Sequence, residues 1–139
     1  MKNSNATTLC LLAASAILLS ASTCRKPSNP GNDCDGVMCT MQFVMITVSV
    51  EDTSGNPITL DSAKTIGPNG AVIANGSHIG NGMYTMVDDS YQKALALKTE
   101  SVVFRGFKGG RQVVEQDYLI AADCCHVSRK SGPEVVVIK

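Results

Sequence analysis

Asp123, Cys124, Cys125 and His126 follow one another in the chain. These side chains bind zinc, drive thiol catalysis or form disulfides, and their spacing discriminates among the three. Structural zinc takes spaced pairs such as Cys-x-x-Cys. Here four residues separate Cys34 from Cys39, and Cys124 adjoins Cys125. Neighbours on a strand point to opposite faces, so they do not aim at one metal. A thiol nucleophile needs a base within reach. On a strand His126 points away from Cys125 and stands ~6.5–7 Å along from Cys124, so it is expected to meet backbone or solvent. Met38, Cys39, Met41 and Met45 form a softer cluster. Thioethers suit Cu(I), which makes copper or zinc handling in an exported protein the alternative reading. The plainer reading has these methionines filling gaps or lying on a strand's outer face. No catalytic residue and no cofactor is assigned.

The compartment decides which cysteine chemistry applies. After Lys2 comes the unbroken apolar run LCLLAASAILL, residues 9–19, and then the small residues Ser20 to Thr23. That is the order of a secretory signal peptide, and the run falls short of the ~20 apolar residues of a spanning helix. The SASTC segment that follows resembles the lipobox of bacterial lipoproteins. The resemblance implies cleavage of residues 1–23 and a diacylglycerol on the Cys24 sulfur. Residues 25–33, RKPSNPGND, hold two prolines, a glycine and no bulky apolar side chain, so residues 24–33 read as a lipidated cysteine and flexible tether. The expected location is the cell envelope, anchored to the outer membrane through the N-terminal lipid.

Residues 34–139 are one domain's worth of chain. Lys and Arg number 12 and balance 12 Asp and Glu, which points away from a nucleic-acid partner. The chain has no Trp and only 4% aromatics, a thin supply for a core or a sugar-stacking platform. The partner is read as an unidentified protein or glycan.

The domain reads as β. In residues 43–50 Val44, Ile46, Val48 and Val50 alternate with Thr47 and Ser49, the pattern of a half-buried strand. EDTSGNP, residues 51–57, is a turn. Short strands are expected at 58–60, around AVIA in the Gly/Asn-rich stretch 67–82, and at 81–87. SYQKALALK allows a helical turn or an irregular strand. SVVFRGF and RQVVEQDYLIAADCC flank the turn KGGR, and EVVVIK closes the chain. About seven strands without a periodic helix imply an antiparallel β-sandwich.

VSVEDTSGNPI followed by NGMYTM resembles carboxypeptidase-regulatory-like and transthyretin-like domains of the immunoglobulin-like class. Their pattern falls here on Val50, Asp52, Gly55, Pro57, Gly82 and Tyr84. The resemblance implies an immunoglobulin-like, non-catalytic module for packing or binding. It also bears on the cysteines. Cys10 leaves with the signal peptide and Cys24 takes lipid, so Cys34, Cys39, Cys124 and Cys125 remain, and an even number in an exported chain reads as disulfides. In immunoglobulin-like sandwiches the first strand runs partly parallel to the last, which is antiparallel to its predecessor. That topology implies that Cys34 and Cys39 each pair with one of Cys124 and Cys125, in an order left open.

Other polar clusters carry less. Asp33 and Asp35 with Gly36 hint at an incomplete calcium loop. Asp88 and Asp89 read as a turn, Arg105, Lys108 and Arg111 as a solvated hairpin tip, Asn75-Gly76-Ser77 as a turn, and His78 as a solvated loop residue.

Overall fold

Ile46, Val48 and Val50 are buried on one face of β1 (Met45–Asp52), while Met45, Thr47, Ser49 and Glu51 face outward. This period of two is what a strand with one face on a core requires. The computed structural model describes residues 34–95 and 97–139. Residues 1–33, on which the expected signal peptide, lipidated Cys24 and tether fall, lie outside the described residues.

The remaining strands are β2 (Ser62–Ile66), β3 (Val72–Gly76), β4 (His78–Gly80), β5 (Met83–Asp88), β6 (Thr99–Lys108), β7 (Arg111–Ala122), β8 (Val127–Ser131) and β9 (Val135–Ile138). They form two sheets, one of order β4-β5-β1-β9 and one of order β3-β2-β6-β7-β8. The protein is an all-β sandwich. Every strand pair is antiparallel except β1 and β9, which run parallel from Ser49↔Val135 to Asp52↔Ile138.

Between the sheets lie Ile46, Val48, Val50, Tyr84, Met86, Val102, Phe104, Val114, Tyr118 and Ile120. Each large side chain fully buried here contributes about 1.5–3 kcal/mol before entropy is counted. Polar contacts fix how the layers face. The Thr65 hydroxyl of β2 donates to the Met86 carbonyl of β5 at 2.7 Å. Arg129 of β8 donates to the Thr47 carbonyl of β1 at 3.1 Å and to Glu134 at 2.7 Å. The Tyr118 hydroxyl is buried without a hydrogen-bond partner, and burial pushes its phenol up to about 12.

Several sequence expectations shift. β1 starts and ends two residues later than 43–50. Residues 58–60 are not a strand; Pro57 bridges to Glu51, and the next strand is β2. The Gly/Asn-rich stretch supplies two strands because the chain changes sheets at Ser77, whose carbonyl accepts the Thr85 amide at 2.9 Å. Residues 127–131 form β8. The described residues therefore hold nine strands where about seven were expected. The start of SYQKALALK is helical: a 3-10 turn, Asp89–Tyr91, capped by Asp88, and one turn of helix α1, Gln92–Leu95, whose Leu95 is buried. The last strand is not the antiparallel neighbour of its predecessor, since β8 and β9 belong to different sheets.

Candidate functional site

Four segments meet at one corner of the sandwich: residues 34–44, the end of β5 with the 3-10 turn, α1, and the turn between β7 and β8. Residues 34–44 form an arm. It opens on a turn in which the Val37 amide donates to the Cys34 carbonyl at 3.2 Å, and has no strand before Met45. Cys39 therefore lies in the arm, ahead of β1.

Cys124 and Cys125 sit in a four-residue turn, residues 123–126, closed by the pair Ala122↔Val127. Asp123 shapes that turn. Its Oδ1 accepts the amides of Cys125 and His126, each at 2.7 Å, and its own amide donates to the His126 carbonyl at 3.1 Å. Those amides, His126 first, hold its carboxyl below the usual carboxylate range. Gln92 of α1 donates to the Asp123 carbonyl at 2.7 Å. Cys34 is bonded to Cys124 and Cys39 to Cys125, with Cα–Cα distances of 5.2 and 5.3 Å. Both bridges join the arm to the turn.

The second bridge brings its sequence neighbours together. Thr40 follows Cys39 and His126 follows Cys125; Thr40 Oγ1 stands 3.0 Å from His126 Nε2. The other ring nitrogen, Nδ1, stands 2.8 Å from Asp89 Oδ2. A carboxylate only accepts, so Nδ1 carries a proton; when the ring is neutral Nε2 accepts the Thr40 hydroxyl, and when it is protonated Nε2 donates to Thr40 Oγ1. Asp89 also accepts the amides of Val44 (Oδ2, 2.8 Å) and Val127 (Oδ1, 2.9 Å), and its own amide donates to the Val44 carbonyl at 3.1 Å. Its side chain is 10% exposed. Burial pushes the Asp89 carboxyl up, but the Val44 amide, His126 and the Val127 amide more than offset this, leaving it below its ordinary value.

Hydroxyl, imidazole and carboxylate stand here in the order of an acyl-transfer triad. Thr40 is exposed. What the bonds do locally is mechanical: Asp89 gathers the arm through Val44, β8 through Val127 and the turn through His126.

The chain matches no protein-family model, no curated protein and no solved structure.

The geometry also places the other candidates. His126 is not a solvent-facing strand residue, because the turn ends at it and its ring spans Asp89 and Thr40. His78 is exposed and its ring stacks on Tyr84 with centroids 5.1 Å apart. Cys39 is bridged and offers no thiolate to copper or zinc; Met38 and Met41 are fully exposed. Among the described residues no three His, Cys, Asp or Glu are grouped to hold a metal. Asp35 is exposed, and Asp33 lies outside the described residues. Arg105 pairs with Glu115 at 3.1 Å, and Lys108 faces Arg111 at the hairpin tip. Thr40 and Asp89 are the partners that sequence reasoning missed. The signal for Thr40 was its place beside Cys39, readable only once the bridge order is known.

Val50, Asp52, Gly55, Pro57, Gly82 and Tyr84 converge at the far end of β1. Asp52 Oδ1 accepts the amides of Ser54 and Asn56 at 2.8 and 2.9 Å, and Gly55 takes the positive φ of the turn. The chain then returns: Val50 N donates to the Gly82 carbonyl, and Ile58 N to the Val50 carbonyl, both at 2.8 Å. The Tyr84 hydroxyl accepts the Leu60 amide at 2.6 Å. These residues position the backbone of the turn and its return strand.

Proposed function

We propose that this protein is a lipid-anchored cell-envelope module: a non-catalytic β-sandwich, held to the outer membrane through Cys24, that binds or supports a protein or glycan partner. The observation that carries the reading is the use of all four cysteines of residues 34–139 in two bridges. Such bridges persist in oxidising compartments outside the cytosol, in keeping with the signal peptide read in residues 1–23. The bridges fasten the arm that follows the tether, which is where tension between an anchor and a bound partner enters the domain.

Fractionation tests this. The full chain should sediment with membranes, and Cys24→Ala should move it to the soluble exported fraction. A Cys24→Ala protein that stays membrane-bound, or a wild-type protein found soluble, contradicts the anchor. The Thr40–His126–Asp89 chain favours acyl hydrolysis as a second reading. It requires ester turnover by the wild-type protein that is lost in both Thr40→Val and His126→Ala while the bridges remain intact.

A further inference from the structure

The arm is unusual in what its side chains do not do. From Gly36 to Val50 the chain carries no charged residue. Val37, Met38, Met41, Phe43 and Met45 are all exposed, Met38 at 96% and Phe43 at 60%. They make up five of the eleven large apolar residues exposed among the described residues, within nine consecutive positions. An unpaired arm is ordinarily held down by burying such side chains. This one is held by two bridges, by Asp89 and by Thr40, so its apolar groups are left for something outside the domain.

The chain itself indicates what that is. Cys34 comes ten residues after Cys24, and at ~3.3–3.6 Å per residue that stretch reaches roughly 35 Å at most. The tether enters the domain at the arm. Along the chain the arm is the part of the domain nearest Cys24, and it is the segment that carries the exposed methionines. Methionine and phenylalanine make no hydrogen-bond demands in an acyl environment. The arm's backbone lacks strand partners, so it belongs at the headgroup level with only its side chains dipping further.

We propose that Val37, Met38, Met41 and Phe43 form a bilayer-contact surface that lies in the interfacial layer of the membrane holding the anchor. This rests on the lipid-anchor reading. It adds that the domain sits on the membrane in one orientation, arm down, instead of swinging freely on its tether.

The chain has no Trp, so the substitution Phe43→Trp introduces a single fluorescent reporter. The lipidated full-length product is reconstituted into phosphatidylethanolamine–phosphatidylglycerol vesicles, with and without brominated acyl chains. Val137→Trp serves as the comparison; Val137 is exposed on β9 opposite Glu51, at the other end of β1. The proposal predicts blue-shifted emission from the Phe43→Trp protein and at least twofold quenching by the brominated lipid. It also predicts weaker quenching when Met38→Ser and Met41→Ser are added, and little quenching of the Val137→Trp protein. Three results overturn it: solvent-like unquenched emission from the Phe43→Trp protein, blue-shifted but unquenched emission from it (contact with protein, including a second copy), or equal quenching of the two variants. The intact mass of the same sample separates the two readings. Missing lipid defeats the anchor, whereas lipidated Phe43→Trp protein that stays unquenched defeats the contact surface.

Discussion

His126 Nδ1 stands 2.8 Å from Asp89 Oδ2, although the two lie 37 positions apart in the chain. The contact exists because the Asp123 turn presents His126 to Asp89, which follows β5. One carboxylate then serves three segments. Removing it leaves the Val44 and Val127 amides and the imidazole without their acceptor, at a cost of about 1–3 kcal/mol for a buried donor. Asp89→Ala should lower the melting temperature by roughly 4–8 °C per kcal/mol for a domain of this size, and Asp89→Asn by less. An unchanged melting curve for Asp89→Ala would show that the carboxylate does not fasten the corner.

Acid should weaken the domain through the same group. The folded carboxyls of Asp52, Asp89 and Asp123 sit below their ordinary values. A depressed folded pKa means that stability is fully present above the unfolded value of ~3.9 and is lost as pH falls through the folded one. Denaturant midpoints measured from pH 7 to pH 2 should hold down to about pH 4 and then fall. Asp89→Asn should flatten part of that fall.

The two bridges should not act additively. A loop of about 90 residues is worth ~4–5 kcal/mol in the chain-entropy model. With one bridge in place the second closes only a short ring, worth ~2–3 kcal/mol on the same scale. Cys34→Ala/Cys124→Ala and Cys39→Ala/Cys125→Ala should therefore each cost about the smaller amount, and the quadruple variant more than their sum. Chemical denaturation of the three variants checks this. A quadruple variant that loses only the sum of the two pairwise losses would contradict the overlap of the two loops.

At the other end of β1, Gly82 has φ +68°, and a Cβ on it would lie 2.7 Å from the Val50 carbonyl oxygen and 2.9 Å from Pro57. Neither neighbour is a flexible tip, so Gly82→Ala should destabilise by about 2 kcal/mol or more. Gly109→Ala, in the open β6–β7 turn with only its positive φ at stake, should cost about 1 kcal/mol. Tyr84→Phe should cost about 1–3 kcal/mol, because it orphans the buried Leu60 amide. Thermal unfolding of the three variants should rank Gly109→Ala as the mildest.

What the sequence made legible follows from where the signals are strong. Ile46, Val48 and Val50 alternate without interruption, and Gly109-Gly110 marks its hairpin, so β1, β6 and β7 were readable. β8 was not. Its residues, VSRKS, bury only Val127 fully, and it is a strand because the long β7 gives it a partner. β4 escaped notice because a change of sheet at Ser77 has no residue signature beyond the surrounding glycines. At the corner, bridges between the two ends were legible from four remaining cysteines in a chain read as exported. Their route was not: a paired last strand was expected to bring the ends together, whereas the arm reaches the β7–β8 turn and β9 lies in the opposite sheet. On a strand, His126 would diverge from its neighbours. The Asp123 turn instead aims it at Asp89, a convergence set by tertiary structure alone.

The measurement that tests the account most directly is the intact mass of the mature, unreduced protein, followed by proteolysis without reduction. The expected result is a chain beginning at lipid-modified Cys24, no thiol open to alkylation, and cross-linked fragments joining residue 34 to 124 and residue 39 to 125. Free thiols at those four positions, or an unmodified chain that retains residues 1–23, would contradict it.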